Sequence, residues 1–509
     1  MPAAPAAALL AFLPMVADCA TPVGPADDAL LALMRPGRPL PGPPGQPCPA
    51  GAIALPAGSP AQPIVDRAPQ GAAFCVGAGV HRAETIAPRS GQRFFGAPGA
   101  VLRGSVELGA FERRDGVFSA PAPLPMGDAH GSCLPDRPAC ASPAAVFVDG
   151  EPVPEVARLA DLSPGRFFFD RDAGRVVTPD DWRGHRVEAS AVPFAFLANG
   201  ARDVTVSGLV VEHYASPAQR GAIYDDTDEA ASGWRIEHNE VRLNGGLGVR
   251  AGPGATVRAN RIMRNGQLGV GFSSPNVRVE DNVIAGNNRE GYDPAWEAGG
   301  LKGTQTHGTV IAGNLVYANG GPGLWCDIEC RDVAYRDNLV ALNGGAGIFH
   351  EISGAAEIRG NVLRCNGGEE GWYWGAGILL ASSRDVGVRG NLVLSGEGAT
   401  GIAIVDQGRA RDDGTLYQAA RNRVEGNLVR FEGTHGRMGA ASDVAPGSAN
   451  SGAIEAGDNR FEGNLYRVPP GFSGEFAWGA RTLPFRSVPV GGQERDGRLE
   501  VEAPAALTR

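Results

Sequence analysis

One phrase returns through the second half of this chain and limits what it can fold into: Asn, an apolar pair, spacers, then Asn-Gly. It reads Asn239-Glu-Val-Arg-Leu-Asn-Gly, Asn260-Arg-Ile-Met-Arg-Asn-Gly, Asn314-Leu-Val-Tyr-Ala-Asn-Gly, Asn338-Leu-Val-Ala-Leu-Asn-Gly and Asn361-Val-Leu-Arg-Cys-Asn-Gly. Looser copies start at Asn282, Asn391, Asn427 and Asn464. Successive leading asparagines stand 21, 22, 32, 24, 23, 30, 36 and 37 residues apart. A period in the low twenties that lengthens in places marks a solenoid whose coils carry loop insertions. The apolar runs between Asn and Gly are too short for helices. Gly supplies positive-φ corners, and Asn tolerates the left-handed region while its amide bonds to backbone. If every coil turns at the same place, the asparagines stack and share hydrogen bonds inside the turn, which sets the register.

On these repeated Asn and Gly-x-Gly phrases, residues 200 to 470 resemble the right-handed parallel β-helix proteins of the pectate-lyase-like superfamily. The resemblance implies an all-β chain coiled as a right-handed parallel β-helix. It does not name a reaction, because that superfamily holds polysaccharide lyases, glycoside hydrolases, epimerases, phage tailspikes and non-catalytic surface proteins. It also implies that a lyase of this kind would use an Arg or Lys base, for which Arg250 and Lys302 are the candidates.

The rest of the chain divides around the coils. Residues 1–45 read as a leader and linker: the apolar run 6–16 resembles the core of a secretory signal, although a basic flank is missing and Asp18 before Cys19 does not suit a lipoprotein. Residues 46–110 read as an N-terminal cap and first coils. In 111–192 the rhythm breaks into hairpins with Asp149-Gly and Asp172-Ala-Gly turns, which predicts a small inserted β subdomain. The main β-helix is expected over 193–470, and a C-terminal cap and tail over 471–509.

Composition narrows the function. A net charge of −10 and no basic run argue against nucleic acid, and no later stretch is apolar enough to span a membrane. Cys48 with Cys75 and Cys133 with Cys140 bracket Pro-rich loops and suit disulfides in an oxidising compartment. Cys326, Cys330 and Cys365 lack the spacing and the nearby His of a zinc site. Export to the periplasm, cell surface or medium is the expected location; monomer and homo-oligomer remain equally compatible.

Laying the strands over one another, with the Gly of each corner as zero, gives every residue an address. Positions two and four face outward and read Arg250 and Gly252, Gly271 and Ser273, Lys302 and Thr304, Trp325 and Asp327, Phe349 and Glu351, Leu379 and Ala381. Position three, with Cys326, His350, Leu380 and Ile404, faces inward. Asp327 and Glu351 thus share an outward column on neighbouring coils, about 4.8 Å apart by strand spacing. That is close to the carboxyl separation of about 5 Å in retaining glycosidases. Trp325 and Phe349 are expected to form an exposed aromatic platform for sugar. The spacings of 32 and 30 add loops carrying Trp296 and Glu297, and Trp372 and Trp374, which would wall a groove.

These positions predict a carbohydrate-active enzyme acting on a polysaccharide or oligosaccharide. Asp327 and Glu351 are the acid and the nucleophile or base, with Lys302 and His350 in support. Trp325, Trp296, Glu297, Trp372, Trp374 and Arg250 are the substrate-binding candidates. No cofactor is indicated, although outward carboxylates can also hold calcium. Two other readings stay open: a polysaccharide lyase with Lys302 as base, and a non-catalytic β-helix binding protein. By parity His350 reads more readily as a packed core residue than as a base.

Overall fold

The computed structural model describes residues 19, 41–42, 44–123, 129–142, 144–225, 232–368, 370–445, 447–448 and 452–502. The apolar run 6–16, Glu369 of the aromatic loop and residues 503–509 lie outside these. The chain forms two compact units, Pro41–Lys302 and Gly303–Arg509 together with Met1–Leu40.

In the first unit, short parallel strands stack coil on coil. One ladder runs through Ile53–Leu55, Ala73–Val76, Arg93–Gly96, Thr205–Ser207, Arg235–Glu237, Thr256–Arg258 and Arg278–Glu280. Its register sets Val206 beside Ile236, Ile236 beside Val257 and Val257 beside Val279. All four point inward and are fully buried, each burial stabilising the stack by about 1.5–3 kcal/mol. The flanking Thr, Arg and Glu alternate to the other face, as a period of two requires.

The coils are interrupted after the strand Ala100–Arg103. Two antiparallel sheets of four strands follow, one built on Ser105–Glu107, Val146–Val148, Glu151–Val153 and Val187–Ser190. The other holds Glu112–Arg114, Val117–Pro121, Phe168–Asp170 and Arg175–Thr178. The first of these strands starts before the expected boundary at 111, because Ser105–Glu107 leaves the coil to pair with Val187–Ser190. Asp149 and Gly150 take positive φ (52° and 89°) between paired strands, the geometry that a tight two-residue hairpin demands. Phe118, Phe167, Phe169, Val176 and Trp182 fill the subdomain's own core. An ion network on two buried carboxylates fastens it to the coils: Glu188 pairs with Arg82 and Arg103, while Glu212 takes Arg103 and Arg242.

The second unit repeats the pattern through Val310–Ala312, Val333–Arg336, Ala356–Arg359, Val386–Arg389, Arg423–Glu425 and Arg460–Glu462. Its last strands close the stack. Ser473–Gly479 turns back on Arg481–Phe485 as an antiparallel pair, and Arg498–Val501 adds in parallel to Leu465–Val468.

The asparagine ladder exists in both units. Asn239, Asn260 and Asn282 are linked in the first, each backbone and side-chain N–H donating to the Oδ1 of the next. In the second, Asn314, Asn338, Asn361, Asn391, Asn427 and Asn464 form one continuous chain. Glu494 ends it, accepting from the backbone and the side chain of Asn464.

Four disulfides tie the described residues. Cys48–Cys75 and Cys133–Cys140 are the two pairs that the spacing suggested, and Cys19–Cys365 and Cys326–Cys330 complete the set. Among the described residues no helix is long and apolar enough to cross a membrane.

Candidate functional site

In the second unit the strands Leu324–Asp327, Ile348–Glu351, Ala376–Ala381 and Thr400–Asp406 lie side by side. Trp325 stands beside Phe349, Leu379 and Ala403 in one column, and Cys326 beside His350, Leu380 and Ile404 in the next. Glu351 is followed by Ala381 and Val405. The same register carries Asp327 into the column of Glu351, one strand spacing away.

Glu351 is held from three directions. Its Oε2 accepts from Trp325 Nε1 at 3.2 Å, and its Oε1 accepts from Gln407 Nε2 at 2.8 Å and Arg409 Nη1 at 3.2 Å. Charge-assisted bonds of this kind fix both the position and the negative charge of a carboxylate. Asp327 and Glu351 are only 7% and 6% exposed. The donor Gln407 keeps a buried carbonyl oxygen that makes no hydrogen bond among the described residues.

The backbone turns sharply after both acids. Ile328 and Glu329 follow Asp327 with φ of 55° and 57°, and Ile352 follows Glu351 with φ of 38°. Two β-branched residues at positive φ are costly, by about 1–3 kcal/mol each, and such strain collects at functional sites. The Cys326–Cys330 disulfide closes the first of these turns across Asp327, and Ser353 braces the second, donating to Glu351 O at 2.6 Å. Closing so short a loop adds less stability than the ~3 kcal/mol of a 15-residue loop. Replacing both Cys326 and Cys330 by Ala is therefore expected to lower the melting temperature by only a few degrees, a shift that calorimetry reads directly.

Two expectations change here. Trp325 and Phe349 do stack, with centroids 5.4 Å apart, but they are 4% and 9% exposed and present no open platform. Facing outward is not the same as facing water: they belong to a cluster with Tyr373, Leu379 and Ala403 that Trp374 packs against. Trp325 instead serves as a donor to Glu351. His350 is enclosed, with Nε2 bonded to Gly354 O at 2.8 Å and Nδ1 near the Tyr335 hydroxyl at 3.3 Å. Burial pulls its pKa down to about 4. It is a neutral core histidine with both nitrogens occupied, so it has no reach to a substrate as a catalytic group.

In the aromatic loop Trp372 is 38% exposed, while Trp374 is half-buried. The loop is pinned by the Thr400 hydroxyl donating to Trp372 O at 3.0 Å.

Lys302, Trp296, Glu297 and Arg250 belong to the first unit. Lys302 Nζ donates to Trp296 O at 3.3 Å and lies 3.8 Å from Glu297 Oε2. Glu297 also accepts from Gln219 Nε2 at 2.9 Å, and Gln267 Nε2 donates to its backbone oxygen at 2.8 Å. Trp296 stacks near Tyr292 and meets His130 edge-on. Arg250 donates to Ser273 Oγ at 2.9 Å.

Gln407 and Arg409 were not among the sequence candidates. They lie in the loop 407–417, closed by pairing of Ala410 with Leu416 and stacked by Arg411 over Tyr417. Arg411 also pairs with Glu329 at 3.1 Å. The signal was the 36-residue spacing between Asn391 and Asn427, which marks a coil with a long insertion. As for metals, the one group of three potential ligands among the described residues is Cys19, Cys365 and Glu432, and its two sulfurs are joined as a disulfide.

Stacked parallel coils and an asparagine ladder within each unit define the class: the chain folds as a right-handed parallel β-helix. Residues 221–393 match the family model described as a right-handed beta helix region. Over most of its length the chain is similar in fold to XylC solved with xylose, at 16% identity and a TM-score of 0.64, covering 86% of this chain and 82% of that one. It also aligns with the A-module of the Azotobacter vinelandii mannuronan C-5 epimerase AlgE6 (13% identity, TM-score 0.48, 88% and 94% covered). A third is the catalytic unit of the GH87 α-1,3-glucanase of Streptomyces thermodiastaticus strain HF3-3 (13% identity, TM-score 0.42, 91% and 70% covered). Among curated protein sequences none matches this chain.

Proposed function

We propose that this protein is an exported carbohydrate-active enzyme that hydrolyses glycosidic bonds in a polysaccharide or oligosaccharide. The observation that carries the reading is the column of Asp327 and Glu351, with Glu351 fixed by Trp325, Gln407 and Arg409. Both acids precede turns held at positive φ.

In this reading Glu351, ringed by donors, is the anionic member and Asp327 the proton donor. Asp327 protonates the leaving oxygen as the glycosidic C–O bond breaks, and Glu351 forms a bond to the anomeric carbon. Water, deprotonated by Asp327, then displaces Glu351 and restores both groups. Trp372 and Trp374, in the same unit as Glu351, are assigned to the sugar contacts. Sugar as the ligand class accords with the xylose-bound XylC of similar fold. Four disulfides suit an oxidising, extracytoplasmic location. The lyase reading is weaker because Lys302, its base, is engaged by Glu297 and the Trp296 carbonyl.

The test is a panel of neutral and acidic polysaccharides incubated with the wild-type protein, assayed in parallel for new reducing ends and for ultraviolet absorbance. Reducing ends without absorbance are expected. Absorbance rising with cleavage means elimination, and overturns hydrolysis.

A further inference from the structure

Within Pro41–Lys302, a cavity of about 240 Å3 opens between the Cys133–Cys140 loop, residues 154–157 and Glu290. A wider hollow of about 460 Å3 shares Pro138, Ala139, Glu155 and Ala157 with it. Neither is lined by any residue assigned above to catalysis.

The walls are rigid. Arg137 N donates to Leu134 O and Cys140 N to Arg137 O, so the disulfide loop is a sequence of tight turns, and Leu134 N ties it to Gly291 O. On the opposite side Glu155 is pinned through its neighbours, since Val156 N donates to Phe167 O and Phe167 N to Pro154 O. Phe167 is itself fully buried.

Glu155 is the unusual group. Its side chain is 10% exposed, with Oε1 lying 3.6 Å from Arg171 Nη2. The other oxygen, Oε2, is buried and makes no hydrogen bond among the described residues. Burial raises the carboxyl to about 7, against the pull of Ser142 and Arg171. A buried acceptor without a donor is costly unless a ligand or water supplies one.

The surroundings say what kind of donor fits. Arg137 and Arg166 offer N–H groups, whereas Pro138, Ala139 and Val156 offer apolar surface. A bare cation is a poor match, because no three acidic or His/Cys ligand atoms converge there among the described residues. An anionic ligand would meet Glu155 and Glu290. A neutral ring with hydroxyls on its edge and apolar faces satisfies both kinds of wall.

We propose that this cavity is a separate binding site for a neutral monosaccharide unit, in which Glu155 Oε2 accepts from a sugar hydroxyl and Arg137 or Arg166 donates to a sugar oxygen. The site would hold a chain end or branch without cleaving it, and it stands independently of the hydrolase reading.

Titration calorimetry with D-xylose and D-glucose tests it on the full-length protein. Saturable uptake of one of the two sugars is expected. Glu155→Gln, which replaces the carboxyl by an amide of the same size, is expected to weaken uptake about tenfold or more, as is Ala139→Trp, which fills the cavity. Glu351→Gln should leave this uptake unchanged. Melting curves show that each variant is folded. No saturable uptake of either sugar by the wild type, or unchanged affinity in both Glu155→Gln and Ala139→Trp, overturns the proposal. Calcium binding that Glu155→Gln abolishes, with no sugar uptake, overturns it as well.

Discussion

Glu351→Gln is expected to slow glycosidic cleavage by about 1000-fold or more, with the fold intact. That factor corresponds to about 4 kcal/mol of lost transition-state stabilisation. The amide keeps the volume and one acceptor oxygen, so it still meets the two donors at Oε1, Gln407 and Arg409. It has neither the charge to stabilise an oxocarbenium-like centre nor the nucleophilicity to attack it. Its NH2 would face Trp325 Nε1, which now donates to Oε2, so a small drop in melting temperature accompanies the loss. Glu357→Gln is the control: Glu357 is a half-exposed acid paired with Arg336 on a neighbouring strand, and its replacement should leave turnover unchanged. Activity surviving in Glu351→Gln would remove this residue from the chemistry.

Asn338→Asp should be among the most destabilising single changes in the second unit. The Asn338 amide makes four bonds: Oδ1 accepts from the backbone and side chain of Asn314, while Nδ2 donates to Asn361 Oδ1 and Ile311 O. Asp keeps the shape and both acceptor contacts but sets a carboxylate oxygen against two acceptors in a buried turn. The repulsion and the lost donors together should cost about 3–5 kcal/mol. In a stack whose coils contact only their neighbours, the effect will show as a lower midpoint and loss of cooperativity in thermal or denaturant unfolding. Asn276→Asp, at an exposed loop position, is the matching control with little effect. An unchanged midpoint in Asn338→Asp would mean that the ladder does not set stability.

The sequence made some things legible because they repeat. The columns Trp325 to Phe349 to Leu379 and Cys326 to His350 to Leu380 were readable from the Gly corners, since each coil copies the address of the last. The ladder followed from the asparagine period. Cys48–Cys75 and Cys133–Cys140 lie near enough in sequence to suggest their pairing, whereas Cys19–Cys365 joins residues 346 apart and no local pattern links them. Strand parity gives direction but not coverage, which is why Trp325 was expected in water and lies under its neighbours. Gln407 and Arg409 sit in an insertion outside the repeat, so they have no address in it; only the long spacing pointed to that coil.

The most direct check on the account is proton NMR of the products as the wild-type protein degrades its substrate. Carboxylates on adjacent strands predict a newly formed reducing sugar that first appears as the anomer of the original linkage. A vinylic proton from an unsaturated sugar, or first appearance of the opposite anomer, would contradict it.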